Sequence, residues 1–255
     1  MRPSIPEIQV TSEPGSGIRV VRFCRPAKKN AFTTDMYARL ADVLLEAGDD
    51  GGCRVLLLCG SEGVFSAGND LRDFADRPPA DAEHPVFRML AALANCEVPL
   101  VAAVEGSAVG IGTTVLLHCD FAYAEPNARF RVPFVDLGVC PEAASSLLLP
   151  LLVGRRRAAE LLLLGDWIDG AAAAEIGLVT RLCPVGEAWE TALEVARRLA
   201  AKPRDALRVS KRLMLDAWRE PVRDIMRREG EAFLERLGSA EAQQAFAAFL
   251  GRGSH

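Results

Sequence analysis

The stretch Phe65-Ser66-Ala67-Gly68-Asn69-Asp70-Leu71 decides the fold together with a second glycine-containing stretch, Glu105-Gly106-Ser107-Ala108-Val109-Gly110-Ile111-Gly112-Thr113-Thr114. Each follows an apolar run that predicts a buried strand and leads into a segment that can be helical. A strand–turn–helix connection exposes backbone N–H groups at the helix start, where the helix dipole is positive. Two such turns on neighbouring strands would aim two N–H donors at one point, which is the construction of an oxyanion hole. The pair therefore predicts a reaction that places negative charge on a carbonyl oxygen.

The order of the remaining segments predicts an α/β fold. Strands alternate with helices over the first two-thirds of the 255 residues, and helices alone follow Glu187. The polar, proline-containing segment 76–83 predicts a mobile loop. The expected strands are 18–23, 54–59, 98–104, 121–124, 129–131 and a short piece at 177–179. The expected helices run from Thr33 or Thr34 to about Ala47, over 84–95, from Gly110 or Ile111 to near Cys119, from Pro141 onward, over 155–164, and beyond Glu187 with breaks at Pro203, Pro221 and Gly238.

Composition and charge exclude several classes of protein. Half of the residues are hydrophobic, and 30 basic against 34 acidic side chains give a net charge of −4, which argues against a general nucleic-acid binder. The seven cysteines are odd in number and form no Cys-x-x-Cys pair, so they indicate core residues in a reducing compartment. No apolar run approaches bilayer length and no secretory leader precedes the first strand. We expect a cytoplasmic protein without a membrane or nucleic-acid partner.

One strongly basic segment stands out within this acidic chain. Between Lys202 and Arg228 there are nine basic and four acidic residues, a balance of +5. A solvated helix face explains such a pattern, and a contact with the phosphates of an anionic ligand is the alternative.

Other chemistries have weaker support in the sequence. The glycines at 106, 110 and 112 lie mid-chain and lack the acidic residue that a dinucleotide-binding loop needs about twenty residues later. Outside the C-terminal tail the only histidines are His84 and His118, and no Gly-x-Ser-x-Gly elbow accompanies them. His118 ends an apolar helix, which favours a structural role. No cluster of residues has metal-ligand spacing, so we expect no metal.

The sequence resembles the crotonase family, the enoyl-CoA hydratase/isomerase superfamily, from about Ile18 to Leu250. The resemblance is carried by both glycine-containing stretches and by four further motifs: Pro26…Asn30-Ala31, Cys119-Asp120, Leu137-Gly138…Pro141-Glu142, and Ala173…Ile176-Gly177-Leu178-Val179. It implies a ClpP-like spiral of ββα units over residues 1–195, holding an acyl-CoA site, and a C-terminal helical region over 196–255 used for trimerisation.

The resemblance also implies a ligand and binding residues. The substrate would be an acyl thioester of coenzyme A, with no separate cofactor, and the assembly a homotrimer or a dimer of trimers. Carried onto this chain, the two oxyanion donors are the N–H groups of Ala67 and Ile111, the latter at a position where the family usually has glycine. The segment Ala67-Gly68-Asn69-Asp70-Leu71 would line the adenine side of coenzyme A.

The reaction is narrowed by two missing carboxylates. Where family hydratases use two glutamates, this chain aligns Thr114 and Phe134, and neither transfers a proton as a carboxylate does. The loop containing Glu142 instead resembles that of the peroxisomal-type Δ3,Δ2-enoyl-CoA isomerases, in which this position carries the base. We therefore expect an isomerase with Glu142 as the single acid/base. Hydration, another crotonase reaction and acyl-CoA binding without turnover are the alternatives.

Glu142 is expected in the first turn of the helix opened by Pro141. There the helix dipole would lower the pKa of its carboxyl, whereas an apolar pocket would raise it. Asp136 is an alternative carboxylate, with a loop hydrogen-bonding role favoured, and Asp70 is expected to cap a turn or helix.

Overall fold

A six-stranded sheet forms the centre of the computed structural model, which describes residues 6–81 and 83–252. Its strand order is β1-β2-β3-β4-β6-β9, antiparallel between β1 and β2 and parallel elsewhere. β3 and β4 are buried along their whole length, as expected for continuous apolar runs in a parallel sheet covered on both faces. The strands are β1 (Ile8–Ser12), β2 (Ile18–Phe23), β3 (Val55–Cys59), β4 (Leu100–Val104), β6 (Phe121–Ala124) and β9 (Arg181–Leu182).

A second, three-stranded sheet lies beside the first. It is formed by β5 (Ser107–Val109), β7 (Arg129–Arg131) and β8 (Ile168–Asp169), with β7 at its centre. Because β5 follows β4 after only two residues, the chain turns from the large sheet directly into the small one. That corner positions the second glycine-containing turn.

Helices cover both sheets and form the C-terminal region. The first, α1 (Thr34–Asp49), begins at Thr33, whose hydroxyl accepts from the N–H of Met36 as an N-cap. The others are α2 (Leu71–Asp76), α3 (Pro85–Ala94), α4 (Ile111–Thr114), α5 (Ser145–Val153), α6 (Arg155–Ala159), α7 (Gly170–Glu175), α8 (Ala188–Ala200), α9 (Arg204–Asp216), α10 (Arg219–Leu237) and α11 (Ala240–Arg252).

Three of the expected boundaries are wrong. The piece at 177–179 is a turn, and the strand follows it as β9. Pro221 does not break a helix, because it occupies the first turn of α10, where the backbone N–H has no intrahelical partner. Pro141 does not open a helix either: α5 begins only at Ser145, so Glu142 lies in the preceding loop.

Helix α10 of the C-terminal region packs on the helices of the core. It contacts α3 and α5, and its Phe233 ring meets Phe74 of α2 edge-on, with centroids 5.9 Å apart. The domain boundary expected at residue 195 falls inside α8, whose apolar face covers β3 and β4. Within the described residues, no helix combines the length and apolar character needed to cross a bilayer.

Candidate active site

The two glycine-containing turns lie directly against each other. The N–H of Ser66 donates to the carbonyl of Ser107 at 3.0 Å, and the N–H of Val109 donates back to the carbonyl of Ser66 at 2.9 Å. Gly68 has a φ of +88°, and a methyl group there would lie 2.9 Å from the Val109 carbonyl oxygen. The same methyl would lie 3.8 Å from the Cα of Gly110. Glycine is therefore required at 68 both by backbone conformation and by the approach of the second turn.

A buried asparagine holds the first turn in place. Asn30 is fully buried, and its side-chain amide donates to the carbonyl of Val64 at 2.6 Å. The backbone carbonyl of Asn30 accepts from the hydroxyl of Ser66 at 2.9 Å. That hydroxyl in turn accepts from the N–H of Gly68 at 3.1 Å. The motif that contains Asn30 thus fixes the turn backbone.

The state of the turn N–H groups revises one expected donor. The N–H of Ala67 donates to the carbonyl of Lys29 at 2.9 Å, so it is engaged within the fold. The N–H groups of Asn69 and Ile111 are paired with no acceptor in the described part of the chain. Asn69 forms an isolated β-bridge, and Ile111 is the first residue of α4. Both N–H groups therefore lie where the chain enters a turn or a helix, and N–H groups at a helix start have no partner within the helix. In the first turn the N–H of Asn69, and not that of Ala67, is therefore without an acceptor.

The rest of the first turn is built around Asp70. Its carboxylate accepts from the N–H groups of Arg72 and Asp73 and caps α2, as expected. It also pairs with the guanidinium of Arg25 at 2.7 Å. Burial acts to raise the pKa of Asp70, but the hydrogen bonds from Arg25 and from the helix N–H groups outweigh it and lower that pKa. Asp70 is therefore held as an anion in a structural role.

Glu142 is the buried carboxylate of the site. It is 9% exposed, and its Oε1 accepts from the hydroxyl of Thr114 at 2.6 Å. Burial raises the pKa of Glu142 to about 7; the Thr114 hydrogen bond opposes this rise, and the negative charge of Glu229 adds to it. Of the two opposing influences expected from the sequence, the apolar surroundings prevail, because the helix start lies three residues farther on. A carboxyl group with such a pKa can accept and return a proton near neutral pH.

The loop that carries Glu142 has an unusual backbone. Ala143 and Ala144 both have a positive φ, at 59° and 57°, although neither is glycine. Each such residue costs about 1–2 kcal/mol. The conformation is supported by the Ser145 hydroxyl, which donates to the Glu142 carbonyl at 2.6 Å, and by His118, whose Nε2 lies 2.8 Å from the Ala143 carbonyl.

A second buried carboxylate, Glu229 of α10, reaches the same loop. One of its oxygens accepts from the N–H of Ala144 at 2.7 Å. The other accepts from the N–H of Ser146 at 2.9 Å and from its hydroxyl at 2.5 Å. Burial raises the pKa of Glu229, while these donors act to lower it.

Both carboxylates line a cavity of about 530 Å³ between α3 and α10. Asn69 also lines it, so the cavity meets the first glycine-containing turn. Most of the wall is apolar and includes Phe74, Val86, Leu90, Val222, Met226 and Phe233. A cavity of this size and lining accepts an apolar chain while keeping a few polar groups at one end.

Tyr37 adds a buried phenol near this end of the cavity. Its hydroxyl donates a hydrogen bond to the Asn69 side-chain carbonyl. Burial raises the pKa of Tyr37 well above its ordinary value, and the charge of Glu142 raises it further. The phenol therefore stays protonated and fixes the Asn69 side chain.

The remaining singled-out residues have structural partners. Asp136 pairs with Arg131 at 2.7 Å on the surface, and His84 caps α3 by accepting from the N–H of Val86. Burial lowers the pKa of His118 to about 4, so the ring is neutral and donates to Ala143. Phe134 is 5% exposed in the core. All seven cysteines are free thiols, and the described residues contain no cluster that would hold a metal.

The basic segment proves to be mostly a solvated, paired face. Arg227 bridges to Asp224 and Glu231, and Arg219 to Asp216 and Glu97. These arginines and Arg223 line the outer part of the cavity.

Two features of the site were not apparent from the sequence. Thr114 was singled out only as a replacement for a glutamate, not as a hydrogen-bond donor to Glu142. Glu229 had no signal at all, because Arg-Arg-Glu-Gly-Glu is an ordinary run on a charged helix and its target lies 85 residues earlier.

Comparison with known proteins identifies the family. The family model described as enoyl-CoA hydratase/isomerase matches residues 13–255, and the chain belongs to this family. It is 34% identical to human enoyl-CoA delta isomerase 2, over 96% of this chain and 63% of that protein. It is 31% identical to 1,2-epoxyphenylacetyl-CoA isomerase of Escherichia coli strain K12, over 96% of each chain.

A solved structure confirms the predicted crotonase fold. OdaA of Pseudomonas aeruginosa is 43% identical and superimposes with a TM-score of 0.92, over 96% of this chain and 99% of that one. The chain thus spans the whole of that structure but less than two-thirds of the human relative.

Proposed function

We propose that this protein is a Δ3,Δ2-enoyl-CoA isomerase in which Glu142 is the single acid/base. The observation that carries the proposal is the buried Glu142 carboxyl, whose pKa is raised to about 7, in an apolar cavity that also reaches Asn69. Two likenesses support the proposal. The Glu142 loop resembles that of the peroxisomal-type isomerases, and the chain is 34% identical in sequence to human enoyl-CoA delta isomerase 2.

In the proposed reaction, one proton moves and no other atom is gained or lost. The thioester oxygen accepts hydrogen bonds from the N–H groups of Asn69 and Ile111. The Glu142 carboxylate takes a proton from C2 of a 3-enoyl-CoA, and the electron pair spreads over a dienolate held by those two donors. Glu142 then returns the proton to C4, which leaves the conjugated 2-enoyl-CoA. Loss of one such donor typically costs about 10²–10³ in rate.

The coenzyme A moiety is proposed to lie along the first turn. Gly68 and Leu71 bring backbone and apolar surface beside Asn69, and the anion of Asp70 is neutralised by Arg25. Residues 67–71 therefore remain the segment proposed to line the adenine side of coenzyme A. The role of donor passes from Ala67 to Asn69.

Hydration is the second candidate, because Glu229 provides another carboxylate on the same cavity. Syn addition of water needs a group that activates the water as well as one that protonates carbon. Both Glu229 oxygens, however, are already occupied by N–H and O–H donors of the α5 start. This occupancy favours isomerisation.

Self-association is proposed from an exposed apolar surface. Leu151, Leu152, Leu213, Met214 and Trp218 are each more than a third exposed. One shallow depression lies between α5 and the residue that precedes α10, and it is lined by Leu151, Leu152 and Trp218. A trimer would bury this surface. A monomeric mass by light scattering would contradict it.

The test is a spectrophotometric assay of wild type and Glu142→Gln with a 3-enoyl-CoA, alongside a hydration assay with a 2-enoyl-CoA. We expect the conjugated-thioester absorbance to appear with the wild type and to fall by about 10³-fold or more in rate with the variant. Asp136→Asn is the matched control, because it removes a nearby but exposed carboxylate, and it should keep the wild-type rate. Loss of conjugation from the 2-enoyl substrate, unaffected by Glu142→Gln, would establish a hydratase instead.

A further inference from the structure

We infer that Glu229 is a positioning residue that holds the Glu142 loop in its reactive conformation from α10. The inference rests on the proposed function, because it assigns Glu229 a part in the reaction of Glu142. Glu229 is 6% exposed although it carries a carboxylate.

The start of α5 lacks a cap of its own. The N-cap residue of this helix is Ala144, which has no side chain able to accept a hydrogen bond. The N–H groups at a helix start need acceptors, and here Glu229 supplies both of its oxygens to Ala144 and Ser146. The side chain of Glu229, 85 residues farther along the chain than Ala144, therefore caps the N-terminus of α5.

The capped start of α5 lies close to Glu142 along the chain. Ala144 is two residues after Glu142, and the two residues 143 and 144 are both left-handed without being glycine. Such backbone persists only where its surroundings impose it. If the Glu229 acceptors are withdrawn, the loop is free to relax to a right-handed or extended backbone. Glu142 would then leave the Thr114 hydroxyl, which holds its Oε1 at 2.6 Å.

The two carboxylates, Glu142 and Glu229, also interact electrostatically. The charge of Glu229 raises the pKa of Glu142, so the two carboxylates are coupled as well as linked through the backbone. Three other titratable groups near the Glu142 loop are neutral near pH 7, while the side chains of Arg219, Arg223, Arg227 and Glu231 line the same cavity. Burial raises the pKa of Tyr37 and brings that of the Cys140 thiol to about 11, while it lowers the pKa of His118 to about 4. Removal of the Glu229 charge should therefore lower the pKa of Glu142.

The test compares Glu229→Gln with Glu235→Gln in the full chain. Glu235 lies on the same helix but is exposed, so its variant controls for the loss of one charge from α10. The isomerisation rates give kcat, KM and the pH profile of kcat/KM. A ¹³C-glutamate NMR titration, with the Glu142 signal assigned by Glu142→Gln, gives the pKa of Glu142 without any turnover.

For Glu229→Gln we expect kcat to fall about 10–100-fold with KM changed less than about 3-fold, since displacement of a reacting group by about 1 Å has this size of effect. The lost charge of Glu229 lowers the pKa of Glu142 and the lost Thr114 contact raises it, so we expect the acid limb of the profile and the NMR pKa of Glu142 to move together away from their wild-type values. Glu235→Gln should match the wild type. A folded Glu229→Gln with wild-type kcat and an unchanged pKa of Glu142 would overturn the inference.

Ser146→Ala covers the case in which Glu229→Gln does not fold. It removes only the hydroxyl bond to Glu229 and leaves its charge. A fall in kcat of about 2–10-fold supports the positioning role, and an unchanged kcat contradicts it. If the wild type shows no isomerisation, the proposed function fails, but a shift of the Glu142 titration in Glu229→Gln or Ser146→Ala would still support the link between the two carboxylates. An unchanged titration in both variants would refute it.

Discussion

The two glycine-containing turns and the Glu142 loop form two halves of one site, and they keep their shapes by different means. In the turns, Gly68 and Gly110 adopt positive φ angles that glycine reaches without steric cost. In the loop, Ala143 and Ala144 adopt similar angles at a cost, and the support comes from distant residues such as Glu229 and His118. The backbone angles of the turns are therefore encoded locally, although Asn30 fixes the first turn from a distance, whereas the angles of the Glu142 loop depend on tertiary support.

Gly68→Ala should have the largest effect on this comparison, because it attacks the locally encoded half. The added methyl would be strained at a φ of +88° and would clash with the Val109 carbonyl, which pushes the two turns apart. We expect kcat to fall about 10²-fold and the free energy of unfolding to drop by about 2–3 kcal/mol. Isomerisation kinetics and urea denaturation measure both.

Gly15→Ala is the matched control for that variant. Gly15 also has a positive φ, +71°, but no atom lies within 4 Å of the position of an added methyl. It should lose about 1 kcal/mol of stability and no activity. Equal losses of activity in the two variants would mean that contact between the turns is unimportant.

Glu142→Gln should increase stability at alkaline pH. Folding raises the pKa of Glu142 from about 4.5 to about 7, so the folded state binds the proton more tightly and stability falls as the pH rises through this window. The neutral amide avoids this cost, by about 2–3 kcal/mol at pH 8 and by much less at pH 5. Thermal unfolding of both proteins at the two pH values checks it. A variant that is equally destabilised at both would show that Glu142 is not a strained, ionised group.

Thr114→Val tests the contact between the two halves, since Thr114 ends α4 and touches Glu142. The variant keeps the side-chain shape but removes a hydrogen bond to the carboxylate, which stabilises the anion. The pKa of Glu142 should rise by about one unit, and the acid limb of kcat/KM should move with it. An unmoved limb would show that the titrating group is another residue. Thr113→Val, which removes a hydroxyl bonded to the Ala108 carbonyl, is the neighbouring control.

Ala144→Gly should have the smallest effect. Glycine relieves the strain at a φ of 57°, but it also removes a fully buried methyl group and adds freedom to the unfolded chain. These contributions oppose each other, so the free energy of unfolding should change by less than about 1 kcal/mol. A loss above about 2 kcal/mol, measured by urea denaturation, would indicate that the methyl packing, and not the backbone support, stabilises the loop.

The sequence predicts the parts of this molecule that depend on neighbours in the chain. Buried strands such as β3 and β4, the N-cap at Thr33 and the cap at Asp70 follow from local patterns, and each is found where expected. Gly68 and Gly110 likewise predict turns, and both have the positive φ of turn residues. Glu142 was selected through a resemblance between loops.

What the sequence could not supply depends on long-range contact. Burial in the cavity decides the pKa of Glu142, and the chain stays a loop from Pro141 to Ala144, with Glu229 accepting from the N–H groups of Ala144 and Ser146. The engagement of the Ala67 N–H by the Lys29 carbonyl is a contact of this kind. None of these partners is within ten residues of its target.

The capping of α5 by α10 also has a consequence for biosynthesis. Translation releases the two turns, the sheet and Glu142 well before residues 219–237, and domains form progressively as the chain emerges. A nascent chain that has emerged only as far as Asp216 has both turns but lacks the side chain that completes the Glu142 loop and one wall of the cavity. The proposed site is therefore completed late, after most of these 255 residues have been made.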